Sequence, residues 1–262
     1  MQPLVSVLVL NYRTPGQTVF CVQNLLEQTI AQKMEIIVID NHSQDDSIGV
    51  FRNRLGNVRI VETPHNLGFG AGYNYGARYA HGLSLLINNP AKILRHDALA
   101  ELVHSLDQDP SIGIIAPQIF HADGSRRSAM RSFPTPLDIL IKRTLLKNIF
   151  PHRLAHYLRL DADPLQQQET DWVIGGCFLI RRELFSNIRG FDERFFLFFE
   201  DIDLCRRVHM TNQRVMYNPS ATAVDKKERL SGEGFWDLIL SQTGRTHLIS
   251  AGKYFWKWGM TP

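Results

Sequence analysis

Residues 5–10, VSVLVL, form an unbroken apolar run, the pattern of a strand covered on both faces rather than one with a wet side. Helical spacing follows over about 15–28, opened by Pro15, where a missing N–H costs little. Further buried strands are predicted at 36–39, 58–61 and 83–87, with a helix over 71–81 before the last of them. Repeated strand–helix–strand units call for right-handed crossovers, so the expected fold is α/β. Its expected form is an open doubly wound, mostly parallel sheet with helices on both faces. Ligands bind such sheets beyond the carboxyl ends of the strands. The polar residues standing there are Asn11, Asp40, Asn41 and Asn88.

The pattern is less regular in the second half. A helix is predicted at 98–107, strands at 112–116, 177–180 and 215–217, a helix at 200–209 and a helical tail over 235–258. Apolar stretches at 137–141 and 145–150 spread around a helical wheel instead of forming one stripe. Without a repeat or a low-complexity linker, residues 1–262 are expected to form one domain. Its regular half is 1–118, its irregular half 119–234, and its tail 235–262.

Composition narrows the setting. Hydrophobic residues at 44% and charged residues at 21% are ordinary for a globular protein. No apolar run reaches the ~18–20 residues of a membrane-spanning helix. The opening MQPLVSVLVLNY is too short for a signal peptide and lacks its positive leader. A cytoplasmic location is therefore expected. Cys21, Cys177 and Cys205 lie far apart without a CxxC pair, and read as small buried hydrophobes in a reducing compartment.

The net charge of +3 is unevenly spread. Within 125–159, Arg126, Arg127, Arg131, Lys142, Arg143, Lys147, Arg153 and Arg159 face a single acid, Asp138. A solvated surface is the bland reading. The sharper one is a basic insert facing anionic lipid head groups at the inner face of the cytoplasmic membrane, or a lipid-linked phosphate. The tail sequence Lys253-Tyr-Phe-Trp-Lys-Trp258 has the composition of an interfacial anchor, and equally that of a lid closing the core. Nucleic acid is not expected among the partners.

Three clusters carry candidate chemistry. Asp40 heads DNHSQDD directly after a buried strand, where an aspartate can accept from a ribose hydroxyl or a base N–H; Ser43 and Asp45 read as caps of the next helix. The run His65-Asn-Leu-Gly-Phe-Gly-Ala-Gly-Tyr-Asn74 holds Gly68, Gly70 and Gly72, which would let backbone approach a phosphate at a helix N-terminus. In FFLFFEDIDLCRR, Glu200, Asp201 and Asp203 follow an aromatic wall. Dipole compensation explains acids at a helix start, but a partly desolvated carboxylate also makes a general base. Upstream, WVIGGCF pairs Gly175 with Gly176, leaving room for a bound sugar.

Taken in order, VSVLVLNY, VIDNHSQDDS, NLGFGAGYNYG, LLINNP, WVIGGCFLIRRELF and GFDERFFLFFEDIDLCRR resemble glycosyltransferase family 2, in its bacterial rhamnosyltransferase-like branch. The likeness spans about 5–257. It implies a GT-A fold, with 1–118 as the nucleotide-sugar half and a less regular acceptor side. It also implies inverting transfer from a dTDP-, UDP- or GDP-linked sugar, rhamnose or another deoxyhexose, to a lipid-linked or polysaccharide acceptor in surface-glycan synthesis such as that of O-antigen. By the same resemblance Asn11, Asp40, Asn41, Asn66, Gly70, Asn74, Asn88 and Asn89 would bind the donor. Trp172, Gly175 and Gly176 would border the sugar and acceptor. Asp201, beside Glu200, would deprotonate the acceptor.

The chain departs from the family at the metal. The fourth strand of the family usually ends in an acid that binds a divalent cation; here it reads Asn88-Asn89-Pro90-Ala91, with Pro90 at the expected position. Where the family often has a histidine stands Asp225, followed by Lys226, Lys227 and Arg229. Three readings stay open. The cations neutralise the leaving group without metal. Asp225 and Asn88 together hold Mg2+ or Mn2+. Or the chain is a catalytically impaired nucleotide-sugar-binding or partner-binding protein.

Overall fold

The computed structural model describes residues 2–226 and 241–260. The N-terminal apolar run becomes β1 (Val5–Asn11), flanked by β2 (Met34–Asp40) and β4 (Ser84–Asn88), with β3 (Arg59–Glu62) outside β2, all parallel. Between them lie α1 (Pro15–Leu26), α2 (Ser47–Arg54) and α3 (Phe69–Ala77). Side-chain alternation along β1 explains its unbroken hydrophobicity. Val5, Val7 and Val9 enter one core and Leu8 the other, all fully buried.

Beyond β4 the sheet ceases to be uniformly parallel. The following elements are β5 (Lys92–Leu94), α4 (Ala98–Gln108), β6 (Ile112–His121), β7 (Arg126–Arg127) and β8 (Met130–Arg131). Then come α5 (Pro136–Arg143), α6 (Pro151–Tyr157), β9 (Gln168–Glu169), β10 (Trp172–Val173), β11 (Cys177–Arg181) and α7 (Arg182–Asn187). The last are α8 (Glu200–His209), β12 (Arg214–Asp225) and α9 (Gln242–Trp258). The main path runs β3-β2-β1-β4-β11-β6-β12-β5. β11 is antiparallel to both β4 and β6, and β5 is antiparallel to β12.

The short strand predicted at 215–217 is instead the beginning of β12, which continues along β6 past a register break between Asn218 and Thr222. Pro219 interrupts the apolar pattern there and hides the continuation. The helix predicted from 71 begins at Phe69, after Gly68 turns the backbone at φ +86°. A Cβ on Gly68 would lie 2.3 Å from the Phe196 carbonyl oxygen.

One core joins α1, α2 and α4 to the sheet through Val22, Leu25, Phe51, Leu102 and Leu106; the other joins α3, α7, α8 and α9 through Tyr73, Phe185, Leu204, Val208 and Tyr254. All three cysteines are buried free thiols. In α9, Lys257 Nζ and Trp258 Nε1 donate to the fully buried Asp203 of α8, at 2.5 and 2.8 Å. The tail therefore closes the core with most of its aromatics and lysines, leaving Trp256 outside. Among the described residues no helix is long and apolar enough to cross a membrane.

Candidate active site

At the carboxyl ends of β1 and β2 the polar side chains turn to one another. Asn11 is fully buried. Its Nδ2 donates to Asp40 Oδ1 at 2.7 Å and to the hydroxyls of Ser43 and Ser47, and its Oδ1 accepts from Thr14 and Thr18. Both Asp40 oxygens accept from Ser43, one from the hydroxyl and one from the backbone N–H. Asn11 thus braces Asp40 with its own amide. Ser43 belongs to this network rather than to the cap of α2; Asp45 does cover an N–H there, that of Ser47 at 2.9 Å.

Asn41 and Asn66 also meet. Asn41 Nδ2 donates to Asn66 Oδ1 at 2.9 Å and to the Gly68 carbonyl, while its Oδ1 accepts from Leu67 N and Thr63 Oγ1. This amide fixes the loop leading into α3. The glycines beyond it pack closely against neighbouring side chains. A Cβ on Gly70 would sit 2.7 Å from Phe191 Cβ, and one on Gly72 2.7 Å from Leu10 Cδ1. Asn74 bonds both the N–H and the carbonyl of Phe191, and Glu193.

A second group forms where β4, β11 and α8 meet. Asp201 stands in the first turn of α8, after Phe198 and Phe199 at φ +68° and +67°, a left-handed pair that non-glycine residues rarely adopt. Asp201 Oδ2 accepts from Gly175 N at 2.8 Å and its Oδ1 from Ile202 N at 2.9 Å. Burial raises its carboxyl above the usual aspartate range. Neighbouring Glu200 is buried, its Oε2 has no partner, and burial followed by the Asp201 charge pushes it well above the glutamate range. The two carboxyls titrate as a pair. At least one is protonated where an ordinary acid has already ionised.

The Gly175–Gly176 turn links Asp201 to the end of β4. Gly176 has φ +103° and its carbonyl accepts from Asn89 N at 2.6 Å. Asn89 Oδ1 accepts from Ala91 N, and Asn88 is fully buried with Nδ2 directed to Cys21 Sγ and the Lys92 carbonyl. Trp172 is buried in β10 and its indole N–H donates to Ser132 O at 2.8 Å. Its ring belongs to the core cluster that also holds Val173 and Phe178, on either side of this turn.

Asp225, 3% exposed, ends β12 in register with Lys92 of β5. Its Oδ2 accepts from Lys92 Nζ at 2.5 Å and also from Arg127 of β7. Lys226 follows, but its ammonium sits over the Phe20 ring at 3.8 Å, away from that cluster. Lys227 and Arg229 lie outside the described residues. A divalent cation held by Asp225 and Asn88 would meet two positive side chains already on the Asp225 carboxylate, with the neutral Asn88 Oδ1 as the other oxygen. Among the described residues no three His, Cys, Asp or Glu side chains converge as a metal set. The residues present therefore do not fit Mg2+ or Mn2+ held by Asp225 and Asn88.

Pattern reading passed over Lys92 and Tyr12, and took Arg127 only as part of the basic insert. Tyr12 is 42% exposed at the end of β1, with the Arg13 guanidinium 5.2 Å from its ring centre. An exposed aromatic directly after a buried strand was the signal available for Tyr12. Lys92 had none, and the charge pattern marked Arg127 without its partner, because only the sheet register brings both to Asp225.

Comparison with known proteins agrees with this geometry. The model of the family described as glycosyl transferase family 2 matches residues 6–189. An N-acetylglucosaminyl-diphospho-decaprenol L-rhamnosyltransferase of Mycobacterium tuberculosis is 24% identical across 98% of this chain and 87% of its own. Rhamnosyltransferase WbbL of Escherichia coli is 25% identical over 71% of this chain and 69% of its own. The mannosyltransferase PcManGT of Pyrobaculum calidifontis, solved with GDP-Man and Mn2+, superposes at TM-score 0.65 and 19% identity over all of this chain and 66% of its own. GalNAc-T7, solved with UDP, GalNAc and Mn2+, does so at 0.66 and 16%, over 90% of this chain; this chain spans only 47% of it. The chain is a glycosyltransferase with the α/β fold of these structures, and belongs to glycosyltransferase family 2.

Proposed function

We propose that the protein transfers a hexose, rhamnose or another deoxyhexose, with inversion, from a nucleotide-diphosphate donor to a lipid-linked or polysaccharide acceptor of the bacterial surface. The observation that carries this reading is Asp201: a carboxylate at a helix start, raised by burial and fixed by Gly175 N at the Gly175–Gly176 turn. In a single displacement the acceptor oxygen attacks the anomeric carbon opposite the departing diphosphate. Asp201 takes the acceptor proton, and the pair of substrates must be held in line. The braced Asp40 faces the ribose, and Tyr12 offers a flat surface on which the base stacks. Rhamnose is favoured by the two relatives whose names specify its transfer.

A lipid-linked acceptor is supported by the surface as well as by the decaprenol in one relative's name. Between α5 and α6, Leu145 and Ile149 are 79% and 67% exposed, with Lys147 between them. Such a turn suits the interface of an anionic membrane. The basic insert faces it only in part, since Arg127 and Arg131 are drawn inward and Arg153 pairs with Asp138 at 2.7 Å.

The deciding experiment is Asp201→Asn, assayed as nucleoside diphosphate release from a panel of nucleotide sugars. Turnover is expected to fall by about 10²–10⁴, the usual contribution of a positioned base. Donor affinity, measured by calorimetry, is expected to persist. A variant that keeps full turnover removes Asp201 from the reaction.

A further inference from the structure

Lys92, Arg127 and Asp225 come from three different strands and meet at one carboxylate oxygen. Lys92 lies opposite Asp225 in the β5–β12 ladder, and Arg127 reaches it from β7, paired to β6 on the other side of β12. Two cations against one acid leave this trio with an excess positive charge. Lys92 is 8% exposed, and burial is the first cause lowering its ammonium below the usual lysine range. A charge withdrawn from water needs an opposite charge to offset it, and among the described residues one carboxylate is shared here between two. Among the described residues Asp225 is thus the carboxylate that Lys92 and Arg127 share, and Arg127 still reaches solvent.

The trio's place says which anion it would meet. A Cβ on Gly176 would be 3.9 Å from Lys92 Cε and 3.2 Å from Asn89 Cβ, so the turn that Asp201 grips passes directly over Lys92. The cationic trio and the proposed base therefore lie on either side of two consecutive glycines, whose Cα atoms are about 3.8 Å apart. The guanidinium fork of Arg127 matches the geometry of phosphate oxygens, and an ammonium supplies a compact charge beside it. We infer that Lys92 and Arg127, positioned by Asp225, receive the diphosphate of the donor and stabilise its departure, so that this enzyme works without a divalent cation. This rests on the donor reading of the site proposed above and assigns the residues that hold its leaving group.

The test is binding of UDP, GDP and dTDP to the full chain, by calorimetry in EDTA and again with Mn2+, beside uridine, guanosine and thymidine followed by ligand-observed NMR. At least one diphosphate is expected to bind in EDTA, with no gain from Mn2+. Lys92→Met and Arg127→Gln are each expected to weaken it at least tenfold, about 1.4 kcal/mol, while the matching nucleoside binds as before. A role confined to holding the sheet together would weaken nucleoside and diphosphate alike, and that result overturns the assignment. So does diphosphate binding that appears only with Mn2+, or variants that bind as the parent does. If Lys92→Met does not fold, Arg127→Gln decides alone, since its side chain is 26% exposed. A parent protein that binds no nucleoside and no nucleotide overturns the donor reading along with this one, whereas nucleoside binding without a diphosphate increment overturns only the cation site.

Discussion

Glu200 shows how much a single buried oxygen can say. Its Oε2 has no hydrogen-bond partner, and burial with the adjacent Asp201 charge raises its carboxyl well above the glutamate range. Between the ordinary glutamate pKa and that raised value the native state keeps a proton that the unfolded chain has lost. Native stability from this site is thus full below the ordinary value and is lost as pH rises through the raised one. Glu200→Gln removes the ionisation, so the variant should melt higher than the parent at neutral and alkaline pH, by about 1–3 kcal/mol, with the gap closing in acid. Thermal melts across pH check this, and a gap that widens on acidification contradicts it. The acids themselves were legible as a run after an aromatic wall. The hydrogen bonds of Asn11, Asn41 and Asn74 were not, because a polar residue at a strand end satisfies its amide inside or outside the protein equally well on paper.

Elements were legible where burial imposed a period. β1, β2 and β4 are apolar on both faces and read directly as covered strands, and α4 and α8 began where their patterns began. β5, β7 and β10 were invisible, since two or three residues carry no period, yet these pieces place Lys92, Arg127 and Trp172. The turn between β10 and β11 is the element on which the proposed chemistry depends. A Cβ on Gly175 would lie 2.8 Å from Asp201 Oδ2, the oxygen its own N–H holds. Gly175→Ala should therefore displace the carboxylate without disturbing the sheet. A shift near 1 Å costs about 10² in rate, so transfer should fall by that order while diphosphate binding and the melting temperature stay near the parent's. An alanine variant of full activity would detach this turn from the reaction.

At the scale of the whole molecule, charge and apolar surface are segregated in a way that one core cannot explain. α5 lies beside α9: burial, then the charges of Arg143 and Lys142, push the His247 imidazole down to about 3. Leu137, Leu140, Leu145, Ile149 and Phe150 are exposed on the segment that holds α5, and Trp256, at 85%, on α9. Isolated apolar residues on a surface need no explanation, but a cluster rimmed by lysine and arginine does. The proposed bilayer contact accounts for both parts, since apolar side chains enter the interface and each cation near an anionic surface adds about 1 kcal/mol. Flotation with phosphatidylglycerol vesicles at low salt should carry the protein upward, and phosphatidylcholine vesicles should carry less. Replacing Leu145 and Ile149 together by aspartate removes two side chains worth about 1.5–3 kcal/mol each when fully buried, so binding should weaken at least tenfold. The same variant should bind nucleoside diphosphate normally and transfer sugar normally to a water-soluble acceptor, losing rate only with acceptor presented in vesicles. Equal loss with both acceptors would return Leu145 and Ile149 to the fold, and failure of the parent to float would remove the membrane from the reading of this face.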